Sequence, residues 1–213
     1  MLLHYLLCVW PLLNYILNAD TLIEYTYNDT KLKNNIISAF HTSISNITNI
    51  LYFITYNQTL LQFSSLFSLT YFIWDTYRIA LCQNDESLYL IHHIITINLL
   101  DKIYNNYYST QLLSLLLIGE LSNIPYYIVY YRMKVNKLSN KLYYNKSKTD
   151  LIKTIQIYLF IICRVILFTF FSYKLMYLLD DKLLLVELHV IYFLGLIWLF
   201  NAIKGVYTPK LKN

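Results

Sequence analysis

The sequence predicts an all-α, polytopic membrane protein, and three observations support that class. Hydrophobic residues make up 57% of the 213 residues and charged residues only 14%, whereas a soluble domain carries about 25% charged residues. Glycine and proline number 3 each, and the apolar segments do not alternate as the strands of a lipid-facing β-barrel would. The 3 cysteines are too few for a secreted domain held together by disulfides.

Seven apolar segments account for most of the chain. A helix that spans the bilayer needs about 20 residues, and five of the segments reach that length. The first is marginal, and the fourth is short and interrupted by polar residues. We therefore predict seven transmembrane helices, or six if the first segment lies outside the membrane. The segments cover approximately residues 2–18, 36–56, 60–81, 87–101, 104–131, 151–179 and 183–203.

The chain is expected to form one domain, because no internal repeat and no linker rich in glycine, serine or proline divides it. Within it we distinguish a first transmembrane helix and its loop, residues 1–35, from a main helical domain, residues 36–206. A cytosolic tail follows at residues 207–213. The first segment lacks the basic region and the small-residue cleavage site of a signal peptide, so we expect it to be retained.

The lysines and arginines outside the apolar segments are unevenly distributed. Eleven of them fall in 19–35, 132–150 and 204–213, whereas Lys102 and Lys182 are the 2 in the alternate connections. Basic residues favour the cytosolic side of a membrane, so the pattern predicts a cytosolic C-terminus and an N-terminus on the opposite side. Concentration of this charge in one loop fits a membrane surface better than a nucleic-acid-binding face.

Four charged side chains inside the apolar segments are expected to be paired. A charge at the centre of a membrane helix costs roughly 2.5–3.5 kcal/mol, so it needs a partner or a wet cavity. Asp75 and Arg78 are three residues apart and can pair on one helix face. Arg164 lies in the middle of its segment, and Glu120 is the partner that we expect for it on another helix. Either pair could serve only to neutralise buried charge.

Two adjacent histidines, His92 and His93, are the most distinctive polar residues within the apolar segments. Neighbouring residues on a helix point about 100° apart, so one ring can face a cavity while the other faces a neighbouring helix. The same ring pair could instead consist of hydrogen-bonded packing residues. Glu120 and Asn123 share a face of a later helix. We predict a polar, lipid-accessible cavity lined by His92, His93, Thr96, Glu120, Asn123 and Arg164.

Other expectations concern residues near the segment ends and motifs for cofactors. Glu187 is expected to be solvated at the membrane boundary, and Trp10 and Trp198 to be interfacial or packing residues. The chain has no CxxC pair for a zinc site and no glycine-rich phosphate loop. The His92-His93 pair lacks the histidine boxes of a di-iron desaturase. We therefore expect neither a metal nor a resident cofactor.

The order of several of these residues resembles the TLC domain, a family that includes the ceramide synthases. The ceramide-synthase motif begins HHxxTxxLLxxSY and, after a spacer, continues HDxxD. The HDxxD positions of the second part correspond here to Gly119, Glu120 and Asn123. In the first part, Ile103 stands in place of the serine. The first part is matched by His92, His93, Thr96, Leu99, Leu100 and Tyr104.

Three later features resemble a branch of TLC-domain proteins outside the ceramide synthases. The segment 119–125, GELSNIP, is similar to an ELSTP-type segment, and Arg164 is similar to an arginine in the next helix of that branch. The segment 198–205, WLFNAIKG, is similar to its closing segment. The resemblance covers about residues 36–206. It implies a helical bundle around a polar cavity in the endoplasmic reticulum or another internal membrane.

The resemblance implies two functions that use this cavity. The first is a protein that binds or handles membrane lipid, with a role in sphingolipid or membrane-lipid homeostasis but without ceramide synthase activity. Gly119 cannot supply the second imidazole of the motif, and Asn123 is a poor acid or base. Membrane lipid is then the expected partner, and nucleic acid is not.

The alternative is an N-acyltransferase of ceramide-synthase type. In that case His92 and His93 are catalytic, Glu120 orients them, and acyl-CoA is the co-substrate that acylates a sphingoid base. A third hypothesis is a transporter or a receptor-like seven-helix protein. It lacks support, because neither a broken-helix repeat nor an extracellular disulfide pattern is visible.

The uneven distribution of basic residues predicts that the 132–150 loop faces the cytosol. In sealed vesicles with the cytosolic face outward, a tag inserted in this loop should be cleaved by added protease. Protection of the tag until detergent opens the vesicles would contradict the orientation. A tag in the 56–57 connection, which the same pattern places on the lumenal side, is the matched control and should be protected.

Overall fold

The computed structural model describes residues 2–19, 30–82, 87–139, 146–178 and 180–207. Within these ranges the chain is helical apart from short turns, and no strand occurs, so the predicted all-α class is confirmed there. A π-helical segment, Ile161–Leu167, joins α6 to α7 without a break. The helices are α1 Leu2–Ala19, α2 Thr30–Thr55, α3 Gln58–Cys82, α4 Ser87–Tyr104, α5 Ser109–Ser139, α6 Lys146–Phe160, α7 Phe168–Met176 and α8 Lys182–Tyr207.

Three stretches of helix are long and apolar enough to cross a membrane: Ser109–Lys134 in α5, Lys148–Met176 through α6 and α7, and Lys182–Lys204 in α8. A shorter apolar stretch, Tyr5–Leu17, lies in α1. Helices α2 and α3 contain 26 and 25 residues, which is sufficient length. They are less apolar because polar residues occupy their buried faces. The total of seven transmembrane helices, or six, stays a prediction.

The first helix is packed into the bundle. Trp10 is 0% exposed, and its Nε1 donates a 3.0 Å hydrogen bond to Thr70 Oγ1 on α3. Its ring also contacts Phe67 and Tyr71 of α3, with centroid distances of 4.9 and 5.1 Å. Trp10 is therefore a packing residue, one of the two roles that the sequence left open for it.

Helices α2 and α3 are joined by small polar side chains. Ser45 and Ser68 lie across the interface with their hydroxyls 3.2 Å apart, and the Ser64 hydroxyl donates to the side-chain Oδ1 of Asn49. Each of the four is fully buried. Small residues allow two helix backbones to approach closely, and hydrogen bonds between helices replace water where none is present. The polarity of these helices is thus used in packing.

Glu187 of α8 is not solvated as expected from the sequence. Its side chain is buried, and its Oε1 accepts a hydrogen bond from Asn98 Nδ2 of α4. The prediction was wrong because a polar partner on a neighbouring helix, which sequence spacing cannot reveal, draws the carboxylate into the interface between α4 and α8.

The end of the bundle formed by the α4–α5 and α7–α8 connections is held by charge and hydrogen bonds. Lys102 Nζ lies 2.8 Å from Asp181 Oδ2, and Tyr108 donates a 2.6 Å hydrogen bond to the Leu178 carbonyl. Asp181 also caps α8, since its Oδ1 accepts from the Leu184 N–H at 3.0 Å. The hydrogen bonds from Lys102 and Leu184 lower the pKa of the Asp181 carboxyl below its ordinary value.

A carboxyl group whose pKa is lowered by folding stabilises the fold above its unfolded pKa of about 3.9 and stops doing so as the pH falls through its folded pKa. We therefore expect Asp181→Asn to lower the melting temperature near neutral pH. The difference from the parent should shrink as the pH is lowered through about 4 and below. Asn retains the capping oxygen, so the change isolates the charge.

The measurement is thermal unfolding of the purified protein in detergent across that pH range. Asp101→Asn is the matched control, because it removes an exposed carboxylate from the same end of the bundle. A difference between Asp181→Asn and the parent that does not change with pH would contradict the role of this carboxylate.

Candidate functional site

A cavity of about 480 Å³ lies in one half of the bundle. It is the half in which α2 begins and α3, α5 and α8 end, so it is the half next to the basic 132–150 segment. Lys31, near the start of α2, and Asn201, near the end of α8, lie on its outer part. Its inner part reaches the middle of the bundle, where the cavity is lined by His41, Asp75, His92, His93, Glu120, Asn123 and Arg164.

Arg164 is held by the π-helical segment Ile161–Leu167, in which hydrogen bonds span five residues instead of four. Its guanidinium donates from Nε to Ser122 Oγ at 2.9 Å. The Nη2 nitrogen donates to the Gly119 carbonyl at 3.0 Å and to Asn123 Oδ1 at 3.1 Å. All three acceptors lie on successive turns of α5, so one buried arginine fastens this segment to α5.

Aromatic and glycine residues surround the Arg164 side chain. Its guanidinium carbon lies 5.5 Å from the ring centre of Phe160 and 5.7 Å from that of Trp198, within the range of cation–π attraction. The aliphatic stem packs on Gly195 of α8, where a Cβ would lie 3.4 Å from Arg164 Cδ. A Cβ at this position would therefore be in ordinary van der Waals contact with the arginine stem.

The direct ion pair between Glu120 and Arg164 that we expected is not formed. The Arg164 guanidinium donates to neutral oxygens on the same turns of α5, whereas the Glu120 carboxylate accepts a hydrogen bond from Thr42 of α2. The two charges remain neighbours and both line the cavity. The reason is geometric, because side chains at successive positions of α5 point in different directions and present Ser122 and Asn123 to the arginine.

The two adjacent histidines both line the cavity. The His93 ring is buried, with Nε2 3.6 Å from Asp75 Oδ2, and Phe72 packs against it at a centroid distance of 5.1 Å. The His92 ring lies edge to face with Trp198 at 5.1 Å. The carboxylate nearest to this pair is thus Asp75 and not Glu120, to which the sequence assigned the orienting role.

Asp75 links three helices. Arg78 Nε donates to its Oδ1 at 2.8 Å, which confirms the local pair predicted within α3. Tyr71 also donates to Asp75, over 3.4 Å, and its hydroxyl lies 2.7 Å from Ser38 Oγ of α2. With His93 of α4 on its other oxygen, this carboxylate is shared by two charged or titratable side chains.

His41 of α2 also belongs to the site, although sequence reasoning did not place it there. Its ring stacks on Tyr71 at a centroid distance of 4.0 Å, and it is 1% exposed. The Nε2 atom has no hydrogen-bond partner within the described residues. The sequence offered one signal, an ionisable residue inside an apolar segment, without the spacing that would link it to the His92-His93 pair.

A smaller space adjoins the inner end of the cavity. It has a volume of about 50 Å³ and shares His92, Glu120 and Arg164 with the larger cavity. Thr96 lines this smaller space rather than the larger one, and its hydroxyl donates to the His92 carbonyl at 2.8 Å. The remaining lining residues are almost all apolar: Leu99, Leu100, Ile103, Leu112, Leu115, Leu116, Phe168, Leu188 and Ile191.

The structure therefore brings the six residues of the predicted cavity to two adjoining spaces. Five of them line the larger cavity, and Thr96 lines the smaller. In the described part of the chain, no three histidine, cysteine, aspartate or glutamate side chains are arranged to hold a metal ion.

A bundle of apolar helices with charged residues held in its interior defines a helical integral membrane protein. The TLC domain family model matches residues 1–204. The chain therefore belongs to the TLC domain family, as its motifs indicated. No curated protein and no solved structure matches the chain. The division into residues 1–35, 36–206 and 207–213 stays a prediction.

The contacts of Arg164 predict an order of stability for substitutions at this site. Arg164→Met should lower the free energy of unfolding by about 3 kcal/mol or more. It leaves the acceptors on α5 unpaired and leaves the buried Glu120 carboxylate without a neighbouring positive charge. Arg164→Lys should cost less, because an ammonium can satisfy some but not all of the acceptors. Glu120→Gln should cost least, because the amide oxygen still accepts from Thr42.

Free energies of unfolding in detergent, measured for these variants and for Arg164→Met combined with Glu120→Gln, complete a double-mutant cycle. Because the two charges are neighbours and Asn123 contacts both side chains, the combined loss should be smaller than the sum of the two single losses. A combined loss equal to the sum of the single losses would contradict the coupling of the two charges through this network.

Proposed function

We propose that this protein binds one molecule of membrane lipid in its central cavity and acts in the handling of sphingolipids or other membrane lipids, without ceramide synthase activity. The observation that carries this proposal is the junction of a polar and an apolar space at His92, Glu120 and Arg164. A lipid has the same two parts, a polar headgroup and a hydrocarbon chain.

The two spaces would hold different parts of the lipid. The larger cavity offers hydrogen-bond donors and acceptors of both charge signs, including Asn123 and the Arg164 guanidinium. The smaller space, lined by leucine and isoleucine side chains, favours hydrocarbon, since burial of apolar surface is worth about 25 cal/mol per Å². A headgroup in the first and the end of a chain in the second would satisfy both linings.

The proposed topology places this site in a bundle of seven transmembrane helices in the endoplasmic reticulum or another internal membrane. The outward surfaces support membrane burial, because large apolar side chains are exposed on the helices: Tyr5, Leu12, Ile47, Ile54, Leu151, Tyr158, Ile162, Phe170, Phe193 and Phe200 among them. With a cytosolic C-terminus, the polar cavity opens toward the cytosolic side and the apolar space lies nearer to the lumen.

The residues at the motif positions support a binding role rather than acyl transfer. Gly119 lies against the Arg164 guanidinium, where a Cβ would be 3.9 Å from Nη2. Because glycine has no side chain, this position offers no imidazole. Asn123 serves as an acceptor for Arg164. Both positions thus contribute to fixing an arginine.

The second candidate is the acyl-CoA-dependent sphingoid-base N-acyltransferase. It is favoured by one observation, the placement of Asp75 Oδ2 3.6 Å from His93 Nε2, since a carboxylate beside an imidazole can orient it as a general base. In that reaction the imidazole would take a proton from the sphingoid amine as the amine attacks the thioester carbonyl, and the thiol of coenzyme A would leave.

The binding proposal predicts that lipid copurifies with the protein and depends on the histidines. The parent protein, purified in mild detergent, should release one tightly held lipid on denaturation, as measured by mass spectrometry. His92→Ala and His93→Ala should each reduce retention about fivefold, the effect of one lost hydrogen bond. Phe170→Ala, which removes an exposed ring from α7, is the matched control and should retain lipid like the parent.

An activity assay separates the two candidates. The purified protein is incubated with sphinganine and a series of acyl-CoA chain lengths, and N-acyl product is measured. We expect no product from the parent. Product that disappears in both His92→Ala and His93→Ala would replace the binding proposal by the acyltransferase. Equal lipid retention by the parent and the histidine variants, with no product, would contradict both.

A further inference from the structure

A second apolar space lies away from the central cavity, between α7 and α8. Its volume is about 180 Å³. Its walls are formed by three polar residues, Thr169, Ser172 and His189, together with Phe168, Tyr173, Met176, Leu185, Leu188 and Tyr192. We call it the α7–α8 groove. It belongs to the two most apolar membrane-crossing stretches, Lys148–Met176 and Lys182–Lys204, so hydrocarbon is the surrounding medium.

The two helices run antiparallel in a register that brings Ser172 and His189 to the same level. At the inner end of the groove, the rings of Phe168 and Tyr192 stack with centroids 6.1 Å apart. Four residues after Phe168 comes Ser172, and three residues before Tyr192 comes His189, so each is about one turn further toward the lumenal end. The two polar side chains therefore line the groove at matching depth.

Ser172 provides a hydrogen-bond donor that the described structure does not use. Its Oγ is buried and has no hydrogen-bond partner among the described residues. A serine hydroxyl on a helix can donate to the carbonyl four residues earlier, as Ser114 does at 2.8 Å to Thr110, but Ser172 makes no such bond. A polar group without a partner is costly in hydrocarbon, so a ligand that accepts from Ser172 would be stabilised.

His189 provides the matching acceptor. Its Nδ1 lies 2.6 Å from the Leu185 carbonyl, and a carbonyl can only accept, so Nδ1 carries the proton. In the neutral ring the other nitrogen, Nε2, is then an acceptor. Ser172 and His189 together thus offer one donor and one acceptor, which is the complement of a hydroxyl group, since a hydroxyl both accepts and donates.

The depth of these residues in the membrane fits the polar end of a lipid. Ser172 lies four residues before the end of α7 at Met176, which is roughly 6 Å along the helix. His189 lies seven residues after Lys182, or roughly 10 Å. Lys102 and Asp181, which pair at 2.8 Å, mark the aqueous side of the same end. A hydroxyl at this depth would sit near the boundary between headgroups and hydrocarbon.

We propose that the α7–α8 groove binds a membrane lipid whose polar end is a hydroxyl group, with Ser172 donating to the hydroxyl oxygen and the hydroxyl donating to His189 Nε2. The hydrocarbon body of this lipid lies along Phe168, Leu188 and Tyr192, toward the middle of the membrane. A sterol and a long-chain alcohol share this chemistry. The groove shares the Phe168 and Leu188 walls with the smaller space of the central site, but Ser172 and His189 line the groove alone. The proposal does not depend on the function proposed for the central cavity.

The test is photoaffinity labelling of the full chain in nanodiscs with three diazirine probes: a sterol, a long-chain 1-alkanol, and the methyl ether of that alkanol. The ether can accept from Ser172 but cannot donate to His189. We expect the alcohol to label peptides of α7 and α8 about fivefold more than the ether, which corresponds to one lost hydrogen bond. Comparison of the sterol with the alkanol identifies which kind of lipid alcohol fits better.

Variants assign the label to the groove. Ser172→Ala and His189→Leu should each reduce labelling by the alcohol about fivefold, whereas Ser114→Ala, a matched change at a serine with a satisfied hydroxyl, should label like the parent. Phe170→Ala, which removes an exposed ring of α7 that lines neither site, should also label like the parent. Equal labelling by alcohol and ether, or parent-like labelling of both groove variants, would overturn the proposal.

Discussion

The burial of Arg164 is the constraint on which the interior of this protein depends. A guanidinium in the middle of a bundle of apolar helices needs several acceptors at once, and α5 supplies them from Gly119, Ser122 and Asn123. The π-helical segment aims the side chain at that surface, and Gly195 leaves room for its stem. The bundle is thus joined at its centre by polar contacts, which few arrangements of helices can satisfy.

Much of the fold could be predicted from the sequence, because it follows from composition and from apolar periodicity. The all-α class, the approximate helix positions and the local pair of Asp75 with Arg78 needed no tertiary information. The burial of Glu187 and the contacts of Arg164 did need it. Sequence spacing identifies which residues share one helix face, but it does not tell which neutral oxygen on another helix will be nearest to a charge.

The candidate site was likewise predictable only in part from the sequence. His92 and His93 could be recognised because two adjacent imidazoles in an apolar segment are costly, and Glu120 and Asn123 because they share a face. His41 and Asp75 were not assigned to the site, since their roles arise from the packing of α2 against α3 and of α3 against α4. The stacking of His41 on Tyr71 and the approach of Asp75 to His93 are contacts between helices and leave no pattern in the sequence.

The interior is also asymmetric along the bundle axis, and this asymmetry bears on how a bound lipid would be oriented. The polar cavity extends from Arg164 toward the basic end, whereas the apolar space extends the other way, past Thr96 to Ile103. A lipid seated across this junction would direct its headgroup to the basic side and its chain to the opposite side. Lipids of the leaflet next to the basic side already have that orientation. They could enter without turning over, whereas lipids of the other leaflet would have to move a headgroup through the hydrocarbon first, at the cost of burying polar groups without partners.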